Sequence, residues 1–421
     1  MYKKTVFKNG LRVITVPQPD NMAATVLVMV EAGSKYEQKE INGLSHFLEH
    51  MCFKGTTNRP TAMDIAGELD GLGAEYNAFT SHEWTGYFAK VEKNHATKAI
   101  DLISDLYLNP TFDVAEIEKE KGVIIEELNM YEDMPQRKIG DIFLRLLYGD
   151  QPAGWDVGGE KDIIRKLTKE DFLKYRGLHY LPSATIVVIA GAFDEAAALA
   201  QLEKLFGAMP DGEKGGKLPV KESQEKPEIF VKFKESDQTH LMIGFRTFSM
   251  FDKRRFVLEV LADILGGGMS SRLFQKVREE LGAAYYVRAG VDLYTDHGYI
   301  AAGAGVEHSK LKLVIKTIIE EFKRLATEPV SEKELARAKS HLSGNLLLGL
   351  ETSDALATYF GSQEILKKEV VTPDQILKEV QAVSAQQIQD LAKEFFIAKN
   401  LNLAMIGPYK DDSEFQDLLK L

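Results

Sequence analysis

An internal duplication constrains the fold of this chain more than any other feature. The segment LTKEDFLKYRGLHYLPSATIVVIAG (167–191) is paralleled by VSAQQIQDLAKEFFIAKNLNLAMIG (383–407); each reads as a capped helix followed by an apolar strand ending in glycine. Thr168 with Asp171 and Ser384 with Gln387 hold matching capping positions, 216 residues apart. Asp113-Val-Ala-Glu-Ile and Ser331-Glu-Lys-Glu-Leu open two long charged helices at nearly the same offset. The clearest break between the repeats is Met209–Pro227, where Gly, Pro and charged residues replace apolar periodicity. The expected organisation is therefore residues 1–208, a linker at 209–227, and a related unit at 228–421, a division that suits a chain of 421 residues.

Within each half the reading is a starting strand, a central helix, a strand pair, a helix, the long helix, a further helix and a last strand. That order predicts an α+β class, with two homologous domains that each carry a mixed or antiparallel sheet covered by helices. The start, MYKKTVFKNGLRVITV, alternates around a turn at Asn9-Gly10 and reads as strand, turn, strand rather than as a secretory or transit segment. No window approaches the ~20 apolar residues of a membrane span. A single cysteine, Cys52, excludes an internal disulfide and fits a reducing compartment, so a cytoplasmic location is expected, with packing as the role of that thiol. A net charge of −11 argues against a nucleic-acid partner and permits basic substrates.

The halves differ in chemistry. Gly43-Leu-Ser-His-Phe-Leu-Glu-His-Met reads as a helix with Leu44, Phe47, Leu48 and Met51 on its apolar face. His46 and His50 then project from one side, four residues apart, as a pair able to grip one Zn²⁺. Glu49 stands where a base for the attacking water is needed. The order is H-x-x-E-H, inverted from the commoner H-E-x-x-H. The corresponding stretch of the second half, RRFVLEVLADILGGGMSSRLF, offers no ligands, so one metal per chain is expected. Catalytic zinc usually takes three protein ligands, and the best source of the third is EIEKEKGVIIEELNMYEDMP. Glu120 and Glu127 share one face of that helix, and composition alone does not choose between Glu126 and Glu127.

With these residues in view the chain resembles the pitrilysin (insulinase) family of metallopeptidases, in particular its short two-domain members similar to mitochondrial processing peptidase and bacterial processing proteases. The family follows H-x-x-E-H at a distance with E-(R/K)-x-V-I-x-E-E-(I/L), matched here by Glu120-Lys-Gly-Val-Ile-Ile-Glu-Glu-Leu. The resemblance implies Glu127 as third ligand, with 76 residues between it and His50, and Glu120 as a supporting glutamate. It also implies that Gly73-Ala-Glu-Tyr-Asn-Ala-Phe-Thr-Ser-His forms an edge strand pairing with substrate backbone through Asn77, Ala78 and Thr80. His82 has no assigned part.

In the second half, GGGMSSRLFQKVREELGAAYYV matches the family's glycine-rich turn and Arg/Tyr pair, here Arg278 and Tyr285, which contact substrate and stabilise the tetrahedral intermediate. The triple glycine lacks the context of a phosphate loop. Family members enclose substrate in a chamber of four such domains. The resemblance thus implies a homodimer, or a heterodimer with a related subunit, in which Arg278 and Tyr285 act on the partner's zinc, and unfolded peptides as substrates. The rival expectation is a catalytically silent or peptide-binding subunit of the same fold; another divalent metal, such as Mn²⁺ or Co²⁺, is the rival occupant of the site.

Overall fold

A computed structural model describes residues 2–421. Six strands form the first sheet: β1 (Lys3–Val6), β2 (Arg12–Pro17), β3 (Ala23–Val30), β4 (Glu75–Thr80), β5 (Thr85–Glu92) and β6 (Thr185–Gly191). Five form the second: β7 (Glu228–Phe233), β8 (Thr239–Thr247), β9 (Ala284–Leu293), β10 (Gly298–Val306) and β11 (Asn402–Gly407). Their orders are β1-β2-β6-β3-β5-β4 and β7-β11-β8-β10-β9. Once β1 is set aside the two orders are the same. Each sheet also has a single parallel pair at the matching place, β2 with β6 and β7 with β11. The duplication is thus a repeated topology, and the class is α+β with mixed sheets and helices.

The local signals work as the sequence suggests. Ser384 and Gln387 form a reciprocal capping box, and Thr168 pairs with Asp171 in the same way. The first hairpin turns at Gly10, whose φ of +88° suits glycine. Asp113 accepts the N–H groups of Ala115 and Glu116 and so opens the long helix Val114–Glu132. That helix stops short of Pro135, which begins the next helix, Pro135–Tyr148.

β6 and β11 are buried at every position, and apolar after their first residues Thr185 and Asn402, because both faces of each sheet are covered. Val187 and Ile189 of β6 join the core beneath the helices Ala96–Leu108 and Glu195–Phe206. Ile186, Val188 and Ala190 face the other way, onto Leu356, Ala357 and Phe360 of helix Ser353–Lys367. In the second sheet Leu403 and Met405 point to one core, while Ala404 and Ile406 meet Ile139, Phe143 and Leu147 of helix Pro135–Tyr148.

The chain therefore does not divide into contiguous halves. One unit holds the residues up to Asn129, Trp155–Leu218 and Leu348–Val370; the other holds Met130–Gly154, Pro219–Leu347 and Val371–Leu421. The change at Leu218/Pro219 lies inside the 209–227 segment, but each half also gives one helix to the other unit, which a division at 1–208 and 228–421 omits. The reason is apolar cover: burying a Phe or Leu side chain contributes roughly 2–3 kcal/mol, and the second face of each sheet is completed by the other half's helix. No helix among the described residues is long and apolar enough to cross a membrane.

Candidate metal centre

The histidine pair stands on the helix Leu44–Cys52, whose Leu44, Phe47, Leu48 and Met51 are all buried. The start of this helix is fixed by two devices. Gly43 adopts φ +96°, and a Cβ there would lie 2.7 Å from the Gly158 carbonyl oxygen and 2.9 Å from Gly159 Cα. Only glycine fits. Glu37, itself buried, accepts N–H groups from Ser45 at 2.6 Å and Gly43 at 2.8 Å and the Asn42 side-chain amide at 3.0 Å, satisfying the helix end in place of a local cap. Burial pushes its carboxyl up to about 7 against the pull of those donors. Ser45 donates to Tyr175, which donates to the Gly33 carbonyl, pinning the first turn to the core.

From this frame His46 Nε2 and His50 Nε2 converge to 3.3 Å. Glu127 Oε2, from the long helix, lies 3.7 Å from the first and 3.5 Å from the second. Four bonds of ~2.0–2.1 Å at tetrahedral angles separate ligand atoms by about 3.3–3.4 Å, so these three atoms fit one zinc-sized ion. His46, His50 and Glu127 are the one such set among the described residues. Glu126, the alternative left open by composition, is exposed and turned away.

Glu120 Oε1 accepts from His50 Nδ1 at 2.9 Å, which directs the Nε2 lone pair of His50 at the centre, and Glu120 Oε2 accepts from Lys54 at 2.6 Å. Burial works to raise the Glu120 carboxyl, but the His50 and Lys54 bonds outweigh it and hold it below its ordinary value. On the open side, Thr80 donates to Glu49 Oε2 at 2.6 Å. Burial raises the Glu49 carboxyl, and Thr80 and His50 oppose the rise.

Thr80 thus steadies a carboxylate, besides lying on β4. Asn77 is exposed on the same strand and its side chain accepts the Ala78 N–H; β4 is the last strand of its sheet, so its outer edge is open. His82 bonds Ser34. Cys52 is buried against Tyr87 and its thiol is pushed up to about 12, an unreactive packing residue. Beside Glu49 and His50 lies a cavity of about 380 Å³ with Phe53, Ile65 and Tyr76 in its wall. Arg278 and Tyr285 belong to the second unit, where the guanidinium carbon lies 5.5 Å from the phenol ring centroid. Arg278 rides on a widened π-helical stretch, Phe274–Glu280, and Tyr285 is 78% exposed at the start of β9.

Sequence reading missed Glu37 and Lys54. Glu37 caps from eight residues before Ser45, beyond the three-residue reach of a capping box, and nothing local signals it. Lys54, four residues after His50, carried a usable signal in its spacing.

Comparison with known proteins bears on this centre. Residues 12–158 match Insulinase (Peptidase family M16), and residues 166–342 match the Peptidase M16 inactive domain. An uncharacterized zinc protease of Bacillus subtilis is 34% identical over 97% of this chain and 98% of its own. The chain belongs to peptidase family M16. A second relative, an uncharacterized zinc protease of Rickettsia felis, is 36% identical over 95% of this chain and 96% of its own. The fold of this M16 metallopeptidase superposes on a protease from Helicobacter pylori with a TM-score of 0.90 at 22% identity, covering 97% of this chain and 99% of that one. The match to the M16 "inactive domain" begins at residue 166, so it takes in the end of the first repeat together with more than half of the second, and His46, His50 and Glu127 lie outside it, within the 12–158 match.

Proposed function

We propose that the chain is a zinc-dependent endopeptidase of unfolded peptides and small polypeptides, with one zinc per chain held by His46, His50 and Glu127. The observation that carries this reading is the convergence of those three ligand atoms to 3.3–3.7 Å beside the Glu49 carboxylate and an open cavity. Zinc, when bound, lowers the pKa of a water and polarises the scissile carbonyl. Glu49 takes the proton of the attacking water and passes it to the leaving amine. Thr80, by holding Oε2, leaves Oε1 to face the water, and the upward push of burial on the carboxyl suits a group that must first accept a proton and then release it. Glu120 acts through His50, keeping its ring oriented and its Nδ1 protonated.

Substrate enters as an added strand on the open edge of β4, aligned by Asn77, Ala78 and Thr80. Arg278 and Tyr285 steady the developing oxyanion and are supplied by the second unit of a partner chain, in a homodimer or in a heterodimer with a related subunit. A cytoplasmic place fits the single buried cysteine. The test is a quenched unfolded peptide offered with and without a chelator: cleavage that stops with chelator and returns with zinc is expected, and chelator-insensitive cleavage counts against the reading. Mixing Glu49→Gln chains with Tyr285→Phe chains tests action across the dimer. Recovered activity is expected, and none contradicts it.

A further inference from the structure

The second unit holds a cavity of about 300 Å³ that the proposed hydrolysis does not use. Its floor is the face of β8, β10 and β9 that turns toward helix Pro135–Tyr148. Tyr286, Arg288, Gly290 and Asp292 alternate onto this face of β9, with Gly303 opposite Arg288 and Ala301 opposite Gly290 on β10. Small residues keep the floor low. A Cβ on Gly290 would meet nothing within 4 Å, and one on Gly303 would find its nearest neighbour, Met242 Cγ, at 3.6 Å.

Two guanidinium groups border this space: Arg288 from the sheet and Arg137 from the first turn of the helix. Some guanidiniums are answered by carboxylates, as Arg12 is by Glu364, Arg59 by Glu68 and Arg272 by Glu334, and others by backbone carbonyls, as Arg176 is by Tyr107 and Leu108 and Arg246 by Leu147. Arg137 and Arg288 have no carboxylate within ion-pair distance among the described residues. Each lies instead near a ring, Arg137 Cζ 3.6 Å from the Tyr131 centroid and Arg288 Cζ 5.8 Å from that of Tyr286. A ring orients a guanidinium and leaves its N–H groups to water, and both arginines are exposed, so a ligand can reach them. The nearby carboxylate, Asp292, accepts from the Tyr299 hydroxyl, and Tyr286 is bonded to His240 at 2.8 Å. The cavity thus joins room for a small group to two forks that match carboxylate geometry.

We propose that this cavity binds a carboxylate of the substrate peptide, either an acidic side chain or the C-terminus, and so makes the protein select for peptides with an anionic group away from the cleavage point. The proposal rests on the peptidase reading for the identity of its ligand. β9 is the last strand of its sheet and leaves an open edge beside the cavity, which a peptide backbone can follow while its carboxylate reaches the arginines. In a chain of net charge −11 such a site is a local exception, and binding there weakens as salt rises.

The test uses the full chain carrying Glu49→Gln, zinc-loaded, and three fluorescein-labelled unfolded peptides of one sequence: one with glutamates, one with glutamines and a free C-terminus, one with glutamines and an amidated C-terminus. Fluorescence anisotropy should show the amidated neutral peptide binding weakest. Adding Arg137→Gln and Arg288→Gln should weaken the carboxylate peptides roughly ten-fold or more while leaving the neutral one unchanged. Which of the two carboxylate peptides loses more identifies the source. Gly290→Val, which fills the floor and keeps both arginines, should give the same pattern in a protein whose thermal midpoint is unchanged. Equal affinity for all three peptides, or unchanged affinities in both sets of variants, would overturn the proposal. Cleavage of the neutral peptide by the chain with Glu49 intact is measured in parallel: its absence refutes the peptidase reading, while the binding comparison still decides the cavity.

Discussion

Replacing Glu120 with alanine removes the carboxylate that joins His50 to Lys54. Two charge-assisted hydrogen bonds disappear, at 2.9 Å to His50 Nδ1 and 2.6 Å to Lys54 Nζ. Lys54 is partly exposed and its ammonium can turn to water, so the main loss falls on the orientation of His50. Removal of a partner behind a metal-bound imidazole costs about 10–100-fold in metal affinity, or about 1.4–2.7 kcal/mol. Glu120→Gln keeps an acceptor for the Nδ1 proton and loses only the charge, so its effect should be smaller. The assay is competition for zinc between the metal-free protein and a chromophoric chelator, at fixed pH and without substrate. An alanine variant that binds zinc within two-fold of the wild type would refute the orienting role.

Gly43→Ala should destabilise the fold by more than about 2 kcal/mol, since the left-handed φ of +96° alone costs about 1–2 kcal/mol and the added Cβ meets backbone at 2.7 Å; urea unfolding and zinc affinity should both report it, because the helix bearing the histidines must shift. His179 supplies a pH dependence remote from the metal. Burial, with Lys214 adding to it, lowers its imidazole to about 4 from an ordinary 6.5. Between those values the unfolded chain binds a proton that the folded chain refuses, so stability is full above about 6.5 and falls as pH drops toward 4, by at most about 3 kcal/mol. Subtracting the urea-unfolding profile of His179→Phe from that of the wild type should isolate this loss; parallel profiles would contradict it.

The histidines and Glu49 were legible because three residues at i, i+3 and i+4, set against an apolar stripe, leave little freedom once the segment is helical. The choice between Glu126 and Glu127 was different. Adjacent residues on a helix point about 100° apart, and knowing which one faces inward requires knowing where the helix packs. The exchange of helices was illegible for a related reason: the apolar face of Pro135–Tyr148 or Ser353–Lys367 does not name the sheet it covers. A hint was present in TIVVIAG and NLAMIG, since strands apolar at every position after the first demand cover on both faces, more than the helices of one half supply. Glu37 and the widened turn that carries Arg278 left no local trace, because a distant cap and a π-helical stretch depend on packing rather than on spacing.

In the proposed mechanism His46, His50 and Glu127 hold a zinc at which Glu49 moves the proton. Glu49→Gln separates the two parts, since it changes no ligand and keeps an acceptor for Thr80. Zinc content by elemental analysis, measured alongside the rate of cleavage of a quenched peptide, is the direct measurement. One zinc per chain is expected in both proteins, with cleavage by the variant lowered about 10²–10⁴-fold. Full activity in the zinc-loaded variant, or wild-type cleavage undiminished after the zinc is removed, would contradict it.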